Sequence, residues 1–123
     1  MSEKNETDND LEHFIGDWHW DDKSHVYAQQ LGQFLFRFLD SLEEQGLSEK
    51  TINKHRRNCY LIGVFECSYS YRDTFSPETV FSDPDASYEY EYMRKVSDSE
   101  HAVNSYRSTW KKVHQYTKRL GKS

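Results

Sequence analysis

The stretch from Phe34 to Phe65, FLFRFLDSLEEQGLSEKTINKHRRNCYLIGVF, limits the folds open to this chain more than any other. Leu31, Phe34, Leu35, Phe38, Leu39 and Leu42 recur at helical spacing and run into Gly46, which can take the left-handed conformation that closes a helix. Leu47-Ser48 restarts the chain. The Ser48 hydroxyl suits a cap, Glu49 meets the positive end of the helix dipole, and Leu47 is placed to staple onto Ile52. So short a joint requires two antiparallel helices. Neither buries its apolar face alone, so other parts of the chain must cover them.

A chain of 123 residues, 15% of them aromatic, is the size of one domain with a real core. No run approaches the length of an apolar membrane span, and MSEKNETDNDLEH lacks the basic start and apolar stretch of a signal peptide. A cytoplasmic protein without a membrane partner is expected. Cys59 and Cys67 lie eight apart on one predicted helix, about 12 Å along its axis, too far for a disulfide. They read as reduced, buried thiols. The formal charge of −5 tells against a nucleic-acid partner only until its distribution is read. Residues 1–22 hold eight acids and one base, residues 66–100 nine acids and three bases, and residues 101–123 six bases and no acid.

Residues 1–10 are polar and acidic without periodicity, and read as a disordered tail able to screen basic faces elsewhere. Leu11, Phe14, Ile15 and Trp18 then share one face of a short helix, capped by Asn9 or Asp10, so 11–22 reads as a segment packed on the core. His13, His19 and His25 are spaced six apart, not the i, i+4 that sets two imidazoles on one helix face, so no metal or other cofactor is expected. The main domain spans 23–121. Its first long helix is predicted from Ser24, as cap, to Gln45, and its second from Glu49 to Phe65 or slightly beyond, with Ile52, Cys59 and Ile62 inward. Ser76-Pro77-Glu78 reads as the start of a short turn through Phe81, broken by Asp83-Pro84. Tyr88, Tyr90 and Tyr92 alternate like a strand, yet Tyr88, Tyr92, Met93 and Val96 also fit a helix, and with no second strand to pair, a helix is expected. Ser97-Asp98-Ser99-Glu100 has capping-box spacing, and Val103, Tyr106, Trp110, Val113, Thr117 and Leu120 form the inward face of a last helix closed by Gly121.

The outward faces carry the candidate site. Lys50, Lys54 and Arg57 sit opposite the inward stripe of the second helix; Arg107, Lys111 and Lys118, with His114 among them, follow one flank of the last, and Lys112 and Arg119 widen it. Cations at intervals on a rigid support suit a phosphate backbone. Asn53, beside the first stripe, is the candidate base contact.

FLDSLEEQGLSEKTINKHRRNCYLIGVF resembles the start of the core-binding, SAM-like helical domain of phage integrases and other tyrosine recombinases: a Phe-Leu-x-x-Leu helix, a Gly-Leu-Ser turn, then Thr-Ile and a basic helix. VNSYRSTWKKVHQYTKRLG is similar to that domain's last helix, and the resemblance covers about residues 24–121. It implies a four-helix bundle that clamps DNA with its second and fourth helices, where the two basic stripes fall. None of the nine tyrosines lies in the family's catalytic motif, and no phosphate-cradling Gly-rich loop, Gly-x-Ser-x-Gly or paired metal-ligand motif is present.

The expectation is therefore an all-α, four-helix SAM-like bundle of two helical hairpins with a short extra N-terminal helical segment. Its expected activity is non-catalytic binding of double-stranded DNA, without an enzymatic reaction or a small-molecule substrate. The alternative is a protein-interaction module docking through 11–22 and 88–92, which exposure of Trp18 and Trp20 would favour.

Overall fold

The computed structural model describes residues 10–69 and 74–121, and all regular structure among them is helical. A short helix over residues 10–14 (α1) is followed by α2 (Asp22–Glu44), α3 (Glu49–Tyr69), α4 (Pro77–Val80), α5 (Glu89–Lys95) and α6 (Glu100–Gly121). No described helix is long and apolar enough to cross a membrane. The expected disordered tail lies outside the described residues apart from Asp10, which is helical rather than a cap.

α2 and α3 form the expected hairpin. Gly46 adopts φ +82, and the Ser48 hydroxyl accepts from the Thr51 amide at 3.2 Å. The start of α2 differs from expectation: Asp21 is the cap and Ser24 its reciprocal partner, the carboxylate accepting from the Ser24 amide at 2.9 Å and the hydroxyl from the Asp21 amide at 3.0 Å. This is a capping box with serine where glutamate is usual. α3 runs past Phe65 to Tyr69, carrying both free cysteines inward. Burial pushes the Cys67 thiol up to about 12 and raises Cys59 as well, which keeps both protonated.

α6 packs antiparallel on α3 and holds the irregular segment before it. Its buried face ends in polar tips that meet loop carbonyls: Trp110 Nε1 donates to Asp83 O (3.0 Å), His114 Nδ1 to Phe81 O (2.7 Å) and Tyr106 Oη to Ser87 O (2.8 Å). Phe81 is thereby seated between Phe34 and Trp110, with centroids 5.8 and 5.0 Å away. Ser99, not Ser97, caps α6, its hydroxyl accepting from Ala102 N at 3.1 Å. Leu120 is exposed rather than inward, and Gly121 is still helical. On α5 only Tyr92 is buried, stacked on Tyr106 at 4.7 Å; Met93 and Val96 face out. Tyr88 is held at φ 67, a conformation disfavoured for a side chain of its size, while its hydroxyl donates to buried Glu66 Oε1 at 2.7 Å. Tyr27 donates to the other Glu66 oxygen at 2.8 Å, so one carboxyl ties α2, α3 and the entry to α5.

The N-terminal segment packs on the α2–α3 hairpin. Leu11, Ile15 and Trp18 are buried, as expected, with Phe14 half-buried beside them. Two glycines make the seat. A Cβ on Gly32 would meet flexible ends of Ile15 and Leu11 at 2.7 and 2.8 Å, whereas one on Gly63 would fall 2.1 Å from the rigid Trp18 ring. Gly63→Ala should therefore push Trp18 outward and destabilise the fold by about 2 to 3 kcal/mol, read as a lower denaturant midpoint with red-shifted tryptophan emission. An unchanged midpoint would place Trp18 elsewhere.

Candidate nucleic-acid interface

The α3–α6 contact is built from polar side chains. His55 Nδ1 pairs with Thr109 Oγ1 at 2.6 Å, and Asn58 Nδ2 donates to Thr109 Oγ1 (2.9 Å), Ser105 Oγ (3.1 Å) and Ser105 O (3.2 Å). His55, Asn58 and Thr109 are buried, so sliding one helix along the other would strand several donors and acceptors. The pairing sets 55 against 109 and 58 against 105, which fixes which surface residues meet across the groove.

That register brings part of the two basic stripes together. Burial first, then the positive charges of Lys54 and Lys112, lower His55 to about 4. The His55–Thr109 pair sets Lys54, next to His55 on α3, and Lys112, one turn past Thr109 on α6, on neighbouring turns of the two paired helices. Lys50 and Arg57 stand exposed on α3, a helical span of about 10 Å apart, with Asn53 exposed between them. Lys111, Lys118 and Arg119 are exposed on α6, and Lys112 is half-buried at the edge facing α3. Lys50, Lys54, Arg57, Lys111, Lys112 and Lys118 have no acidic partner within 4 Å among the described residues.

Other residues of the expected site stand differently. Arg107 is bound to Glu89 of α5 at 2.7 Å, which raises its basicity and commits it to the acidic side of the bundle. Lys111 and Lys118 lie about 100° and 120° around α6 from Lys112, so they flank the groove rather than line it. Arg119 sits over the Tyr116 ring at 6.0 Å. His114, expected among the outward cations, is buried and serves Phe81 instead. Glu89 and Glu91 crowd the far end of α6, where burial, then Tyr88, these acids and Glu66 raise Tyr106. The cations of α6 therefore differ in state: Arg107 is tied to Glu89 at the start of α5, whereas Lys111, Lys112 and Lys118 have no acidic partner within 4 Å among the described residues.

A second cleft between α1, α2 and α3 is lined by Asp10, His13, Phe14, Arg37, Asp40 and Arg56. Its opposite charges are interspersed and favour no single kind of ligand. The aromatic acidic segments give a divided answer on docking: Trp18 is 3% exposed, Trp20 62% and Tyr90 68%. Sequence reasoning missed Asn58, Ser105 and Thr109, although their i, i+3 and i, i+4 relation to His55 and to each other is visible on the helical wheels. It also missed Glu66, and in setting aside a metal site on His13, His19 and His25 it overlooked Glu12, which the fold brings to His19 and His25 so that their ligand atoms all lie within 4.8 Å of one another.

No family model matches the chain, and comparison with curated proteins and with solved structures returns no match.

His55 gives the interface a pH signature. Its value near 4 in the fold lies below the ordinary 6.5, so the unfolded chain binds the proton first as pH falls. The associated stability is intact above about 6.5 and is lost progressively down to about 4, a loss of about 3 kcal/mol. Denaturation across that range should show this loss, and His55→Gln should remove most of it. An equal acid loss in both proteins would contradict the assignment.

Proposed function

We propose that this chain is a non-catalytic binder of double-stranded DNA, of the SAM-like core-binding kind that its sequence resembles, with α2, α3, α5 and α6 as the four helices of that bundle. A cytoplasmic location belongs to the same proposal. The observation that carries it is the α3–α6 register: the His55–Thr109 pair sets Lys54, next to His55, near Lys112, one turn past Thr109, and neither lysine has an acidic neighbour within 4 Å among the described residues. Two like charges held together against their own repulsion suit a site for an anion. Lys50 and Arg57 lengthen the patch along α3, Arg119, two turns on from Lys112 and on the same face, lengthens it along α6, and Lys111 and Lys118 lie beside it, so a phosphate backbone following the groove would meet cations at intervals. The positive end of the α3 dipole lies at the same end of the bundle. Asn53, exposed beside Lys54 and Arg57, is the proposed base contact. Arg107 contributes little while it pairs with Glu89.

A second reading, docking of a protein partner, is favoured by the exposure of Trp20 and Tyr90. The two readings rest on different residues, which makes them experimentally distinct.

Fluorescence anisotropy with labelled duplexes of about 20 base pairs, at low and near-physiological salt, tests the DNA reading. Three to six phosphate contacts give a slope of log K against log salt of roughly −3 to −5. The double substitution Lys54→Ala and Lys112→Ala should flatten it by about 2, and Arg107→Ala by much less than 1. No binding at low salt would remove the proposal and leave protein docking.

A further inference from the structure

The N-terminal segment carries a grouping that the DNA reading does not use. After α1 the chain turns through residues 15–21 and re-enters α2, so Glu12 returns beside residues 13 and 17 positions later. Its Oε1 lies 2.8 Å from His25 Nε2, and its Oε2 accepts from Gln29 Nε2 at 2.8 Å. The His19 ring lies against that of His25, centroids 4.3 Å apart. One nitrogen from each imidazole and one carboxylate oxygen lie within 4.8 Å of one another. The spacing of six between His19 and His25 tells against a shared ion only on a continuous helix, and His19 lies in the linker ahead of α2, which carries His25.

We propose that Glu12, His19 and His25 bind one divalent ion of the zinc type, latching the N-terminal segment to α2. Two imidazoles and a carboxylate suit a borderline ion such as Zn²⁺ rather than Mg²⁺ or Ca²⁺, which take oxygen donors. A tetrahedral ion with bonds near 2.0 to 2.1 Å needs its ligands about 3.3 Å apart, so small side-chain rotations close the present spacing. The ion replaces the proton between Glu12 and His25, and a water completes the fourth position. The backbone on both sides of the linker is already fixed. Trp18, just before His19, is buried against Gly63, and Ser24, just before His25, is buried in the capping box. Gln29 orients the carboxylate as an outer partner, the arrangement that usually accompanies metal ligands.

The test is titration of chelator-treated, tag-free full-length protein with ZnCl₂ against a chromophoric zinc chelator, with thermal unfolding followed in parallel. The expected result is one ion per chain with micromolar or tighter affinity, a raised melting temperature, and no competition from excess Mg²⁺. His19→Gln and His25→Gln should each weaken binding at least tenfold while leaving the helical circular-dichroism spectrum intact, and His13→Gln should leave affinity unchanged. Because His19→Gln lies outside the helices, it keeps the test decisive if His25→Gln disturbs α2. Affinity equal in the wild-type protein and the His19→Gln variant, or binding lost equally in His13→Gln, would overturn the site.

Discussion

The rest of the molecule depends on the hydrogen-bonded contact of His55 and Asn58 with Ser105 and Thr109. Apolar helix faces tolerate sliding because Leu against Phe costs little more than Leu against Leu. Buried amide, imidazole and hydroxyl groups do not, since each misplaced partner costs on the order of 1 to 3 kcal/mol. The contact thus acts as a register pin between two helices that the chain brings together from some fifty residues apart. It also explains how a neutral histidine is tolerated between two lysines: burial keeps it uncharged, and the uncharged ring adds no third charge to the pair.

Around that pin the two sides of the bundle are closed by different means. On one side, α6 presents Trp110, His114 and Tyr106, large side chains whose apolar bodies fill the core while their polar tips meet the carbonyls of a segment with little regular structure. The segment needs no ladder of its own because α6 supplies its hydrogen bonds. On the other side, Trp18 enters a gap left by Gly63, so absence of a side chain on α3 is what allows the N-terminal segment to lie close. The charges sort along the same axes. Glu89 and Glu91 stand near the first half of α6, where Arg107 is paired, and Lys111, Lys112 and Lys118, without an acidic partner within 4 Å among the described residues, lie further along.

Much of this was legible in the residues. The Gly46 stop, the Ser48 cap, the α2–α3 hairpin, the Pro77 start and the inward faces of the last helix follow from local rules that act within a turn or two. What could not be read is tertiary. Asp21 and Ser24 both suit a cap, and only the geometry assigns their reciprocal roles. Arg107 has the spacing of a free cation, but its state depends on Glu89, which arrives through the α5–α6 connection. His114 belongs to the basic flank by sequence and to the core by packing, because Phe81 offers it a carbonyl. Glu12 joins His19 and His25 only through a chain reversal that no helical periodicity anticipates.

The most direct test of the interface is the backbone amide NMR spectrum of the isotope-labelled full chain during titration with a duplex of about 20 base pairs at low salt. Shift changes confined to residues 50–57 of α3 and 108–119 of α6 are expected, with Trp20 and α5 unmoved. Changes centred on Trp20 and Glu89–Lys95, with the α3–α6 groove silent, would contradict the placement of DNA across that groove.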